Sequence, residues 1–235
     1  MGALIALLLV AAPVPPPAPA LAPPELMKRL AEQAARLQKG LEDLRIEVAL
    51  DYRELGRKGQ IVHQGLSTAV IDFHGKKRVT RVLAATRDGK EALKAAQKDA
   101  DENDKTERKP VGPFESWNQP KHRFTVLGSA PGGLLRLGIE PSDGKARDIF
   151  EGEALVDPVA GEAVRVAVHP TKLPAFVDRL EFVVDYGTKL PGIGRSLSHI
   201  TVDGEGGFLF FRRHEWIGID IKYLEVGGKP VTALP

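Results

Sequence analysis

The sequence predicts a mainly β chain of the α+β class: an incomplete antiparallel β-barrel or strongly curved meander sheet with one or two helices covering its concave side. Three observations predict it. Runs of period-two hydrophobicity fill most of the chain, turn residues punctuate them at short intervals, and clean helical periodicity is concentrated near the N-terminus. With 235 residues, 43% hydrophobic and 27% charged, there is enough chain for one sizeable core. No repeat at propeller or solenoid periods is present in the sequence.

The chain opens with an apolar run from Gly2 to Ala12, too short to cross a bilayer but suited to a secretory h-region. It carries no Lys or Arg after Met1, so as a signal it is atypical or its start codon is misassigned. A Pro/Ala stretch follows, with Ala18-Pro19-Ala20 as a small-residue cleavage site. Residues 1–22 are therefore read as signal peptide and linker, and 23–235 as one β domain, exported and without a membrane span once processed. From Pro24 to Leu41, Leu26, Leu30, Ala34, Leu37 and Leu41 recur at helical spacing, with Pro24 suited to the first turn and Gly40 to the end. Arg45 to Arg53 then alternates Ile46, Val48, Leu50 and Tyr52 with polar neighbours, as a half-buried strand does. Leu66 to Phe73 and Arg78 to Ala85 read as a hairpin around Gly75.

Glu91 to Ala100 reads as a second helix, and the charged stretch from Asp99 to Pro110 as a mobile loop, because it has almost no apolar surface to bury. Strands resume at His122 to Leu127 and Leu134 to Ile139, around Pro131-Gly132-Gly133. The remainder is a meander: Asp148 to Asp157, Glu162 to His169, Val177 to Tyr186, Leu197 to Val202, a turn at Asp203-Gly204, Gly207 to Arg213, and Trp216 to Val226.

Chemistry leaves few marks on this pattern. Thirty-three basic residues against 31 acidic give a net charge of +2, too weak a field to argue for nucleic acid or anionic lipid. The absence of cysteine removes disulfides, thiolate metal sites, cysteine nucleophiles and a lipid-anchor acceptor. The six histidines make no metal-binding spacing. Asp99-x-Asp101-x-Asn103 begins like a calcium loop but has Asp104 where glycine is needed and Pro110 where glutamate is needed. Gly192-x-Gly194 lacks the third dinucleotide glycine, and no nucleophile elbow occurs. Ser198 and His199, adjacent on a strand, point to opposite faces, and the pairs Glu151/Glu153 and Asp178/Glu181 are spaced as solvent-facing alternation spaces them. The reading is a protein that is not an enzyme and calls for no cofactor or metal.

Phe150-x-Gly152-x-x-x-Val156-Asp157-Pro158-x-x-Gly161-x-x-x-Arg165, followed by a strand around Phe182, resembles a pattern in the periplasmic lipoprotein-carrier family of LolA, LolB and their relatives. The order of elements, with an export signal, an amphipathic helix and then a meander with a mid-chain insertion, is similar as well. The resemblance implies an incomplete barrel whose mouth is covered by helices and whose apolar cavity holds acyl chains of lipids or lipoproteins. The chain departs from the family in having no cysteine for the anchor of the outer-membrane member, an aromatic content of only 6%, and the long charged stretch after its second helix. The expected function is a periplasmic carrier or binding protein for lipid or a lipidated protein; the alternative is an envelope protein-binding or sensing module whose cavity is filled by its own side chains. Leu30, Leu37, Leu50, Tyr52, Phe124, Phe150, Phe182, Phe210 and Trp216 are the candidate cavity and lid residues, since large apolar groups on one face of a curved sheet make either a core or a pocket.

Overall fold

The structure, a computed structural model, describes residues 20–40, 43–75, 77–105, 112–142, 149–208 and 211–231. A helix, α1 (Pro24–Gly40), precedes three long strands, β1 (Asp43–Leu55), β2 (Ile61–His74) and β3 (Lys77–Arg87), and a short β4 (Lys90–Glu91). A second helix, α2 (Leu93–Asp104), leads to β5 (His122–Ala130), β6 (Leu134–Pro141), β7 (Phe150–Asp157), β8 (Glu162–Pro170) and β9 (Val177–Asp185). A small hairpin, β10 (Thr188–Leu190) and β11 (Gly194–Ser196), comes before β12 (His199–Phe208), β13 (Phe211–Val226) and β14 (Lys229–Pro230).

The main sheet runs β4-β3-β2-β1-β13-β12-β9-β8-β7-β6-β5, with β14 beside β13. Two meanders, one from each end of the chain, are thus joined where β13 pairs with β1. Strands β3 and β4 at one end and β5 at the other do not meet, so the sheet stays open instead of closing into a barrel.

Cross-strand register sets which residues share a face, because directly opposed residues point the same way. One face carries Leu44, Ile46, Val48, Leu50 and Tyr52 of β1, opposite Ile221, Ile219 and Ile217 of β13. It continues through Ile200 and Val202 of β12 and Val184 and Phe182 of β9. Val166 and Val168 of β8, Ala154 of β7 and Leu137 of β6 complete it. This is the inner face, and α1 lies across it. Leu26 and Leu30 join a core cluster with Phe114, Phe124, Leu137, Ile139 and Val156. Leu37, farther along the helix, packs on a second cluster built from Leu44, Ile46, Tyr223, Leu190 and Ile193. A helix of 17 residues is about 25 Å long, enough to span the four strand spacings from β8 to β1, about 19 Å.

The residues that carry the carrier-family resemblance have structural work in docking that helix. Asp157 Oδ1 accepts the backbone N–H groups of Val159 and Ala160 at 3.0 and 2.9 Å, fixing the turn between β7 and β8. The carbonyls of Pro158 and Val159 then take the Arg29 guanidinium of α1, both at 2.9 Å. Gly161 sits at φ +67°, and a Cβ there would stand 2.4 Å from Arg29 Cβ, so a side chain would push the helix off the turn.

Two expectations change in the structure. The charged stretch after Ala100 is helical to Asp104; it keeps α2 going because Gln97 and Asp104 bond to β3, and residues 106–111 lie outside the described residues. Asp203-Gly204 is not a turn: it lies within β12, paired with Trp216 and Glu215 on one side and Glu181 and Leu180 on the other. Of the one or two helices expected over the concave side, α1 lies there and α2 packs against edge strand β3. Ala22 N–H donates to the Phe124 carbonyl and Val126 N–H to the Ala20 carbonyl, at 2.9 and 2.7 Å, which places residues 20–22 along β5. Residues 1–19 of the expected signal and linker segment 1–22, and Leu41, lie outside the described residues.

Candidate functional site

Between the two core clusters the inner face is only partly closed. Two transverse rows of side chains run across four adjacent strands. Leu50, Ile219, Ile200 and Val184 stand opposite one another in the first, and Tyr52, Ile217, Val202 and Phe182 in the second. Each row continues into a buried valine of β8, Val166 or Val168, which belongs to the core under α1. The eight residues themselves are all partly exposed. Apart from Phe182, which touches the first cluster, they belong to neither core. At 4.7–4.9 Å per strand the rows are about 14 Å long, an apolar trough about two residues wide.

One end of the trough is polar. Glu54 stands opposite Glu215, Arg213 Nε lies 3.8 Å from Glu54 Oε1, and the Tyr52 hydroxyl donates to Glu215 Oε1 at 3.1 Å. Burial, and then the adjacent Glu215 carboxylate, raise the Tyr52 phenol above its ordinary value, so it stays a neutral donor. Toward the interior, burial pushes the Tyr223 phenol up to about 12 and raises Tyr186 as well. Tyr186 packs against the first core cluster. Burial also raises the Glu115 carboxyl, whose Oε2 has no hydrogen-bond partner among the described residues.

The candidate residues divide among several environments. Leu50, Tyr52 and Phe182 line the trough. Leu30 is sealed, at 0% exposure, and Phe124 stacks on Phe114 with ring centroids 5.6 Å apart, so both fill the core. Phe150 packs at the margin of that core and Leu37 at the margin of the second. Trp216 departs from the expectation of a cavity position. It pairs with Arg53 and Asp203 and so faces the outer surface, where the Arg53 guanidinium lies 4.7 Å from its ring centroid. The missing side chain of Gly218 makes room for the indole, since a Cβ there would be 2.5 Å from the ring. Phe210 lies outside the described residues.

Two buried polar groups escaped the periodicity. Gln33 lies on the apolar stripe of α1 at 2% exposure. Its Oε1 accepts the Ala163 N–H at 2.6 Å and its Nε2 donates to the Arg195 carbonyl at 3.1 Å, joining β8 to β11 through the helix. His122 donates from Nδ1 to the Asn118 carbonyl at 3.0 Å and accepts the Phe150 N–H on Nε2 at 3.1 Å. Desolvation holds its pKa below the ordinary 6.5, keeping it neutral and able to do both. Only the glutamine's position in the helical stripe, three residues after Leu30, gave a signal that it was buried.

The outer face is charged. His199 Nδ1 lies 2.6 Å from Asp220 Oδ1 and its Nε2 lies 3.1 Å from Thr201 Oγ1. Ser198 turns away to the Asp185 carbonyl and the Gly187 N–H. Two shallow depressions lie on this side. One, about 340 Å³, is lined by Arg136, Glu153, Leu155 and Arg165; the other, about 360 Å³, by Ala49, Asp51, Leu66 and Thr68. Among the described residues no group of three or more His, Cys, Asp or Glu converges as metal ligands would.

The class defined by these observations is an open, curved antiparallel sheet with a helix laid across its inner face and an apolar trough beside that helix. No protein-family model matches the chain, and no curated protein does. Among solved structures it is similar to a DUF1329 family protein from Desulfovibrio piger, at 11% identity and a TM-score of 0.34, over 89% of this chain and 95% of that one. It is also similar to a Pseudomonas aeruginosa MucA/MucB complex structure, at 12% identity and a TM-score of 0.28, over 82% of this chain and 94% of that one. A further structure of MucB in complex with periplasmic MucA gives 9% identity and a TM-score of 0.22, over 82% and 93%.

Proposed function

We propose that this chain is a non-catalytic binding module of the cell envelope that holds an acyl chain, of a lipid or a lipidated protein, along the trough. The observation that carries the reading is the pair of apolar rows left half-open between two closed cores. Full burial of a Val, Leu, Ile or Phe side chain is worth roughly 1.5–3 kcal/mol relative to exposure. The rows retain part of that gain for whatever covers them. A long, narrow, non-directional apolar strip with polar groups at one end suits a hydrocarbon chain with a polar terminus. Export belongs to the proposal and rests on the apolar run from Gly2 to Ala12 with the Pro/Ala stretch behind it.

Titration with a fluorescent long-chain fatty acid tests it. Saturable binding is expected, abolished by Ile219→Glu in the middle of the first row and unchanged by Trp216→Ala on the outer face. A folded parent protein with no acyl affinity, purified free of lipid by native mass spectrometry, overturns the reading.

A protein-binding or sensing module has a supporting observation of its own: under the first half of α1 the inner face is filled by Leu30, Phe124, Leu137 and Ile139. In-cell crosslinking separates the two. A sensor traps one defined protein, whereas a carrier traps a changing set of lipidated ones.

A further inference from the structure

We propose that edge strand β3 is a docking site for an acidic, extended peptide segment, and that α2 occupies this edge in the free protein and is displaced when the peptide adds as a strand. Thr80 and Val82 stand opposite Ile71 and Ala69 of β2, and their hydrogen-bonding groups turn away from β2 to the open side. There α2 meets them with side chains. Gln97 Oε1 accepts the Val82 N–H at 2.8 Å and Gln97 Nε2 donates to the Thr80 carbonyl at 2.9 Å. One side-chain amide thereby makes the two bonds that the backbone of a neighbouring strand would make. Asp104 accepts the Thr80 N–H and the Thr80 hydroxyl at 2.6 and 2.8 Å, and its Oδ1 lies 2.6 Å from Arg78 Nε. The edge groups are therefore those a strand would use, held by surrogates.

The surrogate is lightly held. No residue of α2 is buried, and its N-terminus has no side-chain cap. It sits on an edge whose Val79 and Leu83 remain exposed. Charge decides the occupant. Strand β3 carries Lys77, Arg78, Arg81 and Arg87, while the last half of α2 carries Asp99, Asp101, Glu102 and Asp104. A strand that replaces α2 inherits that basic surface and so is acidic, with alternating β-branched residues to cover Val79 and Leu83. This use of the edge is separate from the trough, which lies on the inner face.

The test uses a fluorescein-labelled peptide alternating valine with glutamate, a second peptide with lysine in place of glutamate, and the full chain. Weak binding of the acidic peptide is expected in the parent. Freeing the edge with Gln97→Ala and Asp104→Ala tightens it by about tenfold, because the competing state is removed. Peptide addition also slows exchange of the Thr80 and Val82 amide protons. Val82→Pro deletes an outward-facing N–H, a position where an edge strand tolerates proline, and abolishes binding while circular dichroism stays that of the parent. If the double variant does not fold, Gln97→Ala alone carries the same expectation at smaller size. No binding by a folded Gln97→Ala variant, equal binding of the lysine peptide, or full binding by Val82→Pro overturns the proposal.

Discussion

Gln33 is the residue at which the helix, the sheet and the small hairpin are tied together. A leucine there preserves the apolar stripe of α1 but orphans the Ala163 N–H and the Arg195 carbonyl, both bonded by the glutamine. An unpaired buried group costs roughly 1–3 kcal/mol, so Gln33→Leu is expected to lower the urea midpoint with an unchanged m-value despite adding hydrophobicity. A midpoint at or above the parent's contradicts this. His122 gives the second expectation at this scale. Its folded pKa lies below the unfolded 6.5, so the unfolded chain binds more protons between the two values. The stability it contributes is complete above 6.5 and declines as pH falls below that value, levelling off only beneath the depressed folded pKa. Thermal unfolding measured between about pH 7.5 and about pH 5 should therefore fall more steeply in the parent than in His122→Gln. Glu115, raised by burial, acts in the opposite direction near its own range, which is why the difference between the two proteins, not the parent's curve alone, is the measurement.

At the scale of elements, α1 is anchored unequally. Leu30 is fully buried among the residues of the first cluster, whereas Leu37 is half-buried at the margin of the second. Leu30→Ala should cost about 2–5 kcal/mol and act on stability alone. Leu37→Ala should cost less and change fatty-acid affinity by more than the lost folded fraction explains, because the helix end it holds borders the open rows. Chemical denaturation and probe titration on both single variants check the division; equal stability losses with parental affinity in each would remove any lid role from α1. Much of this architecture was legible in the sequence. The i, i+3, i+4 stripe from Leu26 to Leu37 and the alternation of Ile46, Val48, Leu50 and Tyr52 each report one face of one element. Asp203-Gly204 misled because turn propensity is local, whereas β12 is held through that point by ladders on both sides. Reading a strand break there also left the parity of Trp216 undetermined, and pairing with Asp203 turns it outward. The end of α2 was invisible for a different reason: its work is hydrogen bonding to an edge, which leaves no apolar periodicity to read. The trough was half legible, since Leu50, Tyr52 and Phe182 were identifiable, but their row partners Ile217, Ile219, Ile200 and Val202 emerge only from cross-strand register.

For the whole molecule, an unclosed sheet has to deal with two edges, and unpaired edge groups invite other chains. The β3 edge is met by β4, by the Ala92 N–H at the Ala85 carbonyl, and by α2. The β5 edge is met by residues 20–22, which take up the Phe124 carbonyl and the Val126 N–H, with Leu21 bridged to Thr125. Ala22 is in addition part of the core cluster under α1. Cleavage after Ala20 removes one of these bonds, the carbonyl that accepts Val126 N–H, and leaves Leu21 and Ala22 in place. A chain that starts at Pro24 loses the whole cover. It retains α1, every strand of the sheet and nearly all of the core, so the first consequence falls on association instead of fold. Light scattering and sedimentation should find the chain starting at Leu21 dispersed as the longer one is. The chain starting at Pro24 should form concentration-dependent oligomers with increased β-sheet signal, and Leu127→Lys, which places a charge beside the bared edge at an exposed position, should suppress them. If the chain starting at Pro24 matches the longer one at all concentrations, residues 20–22 do not guard the edge.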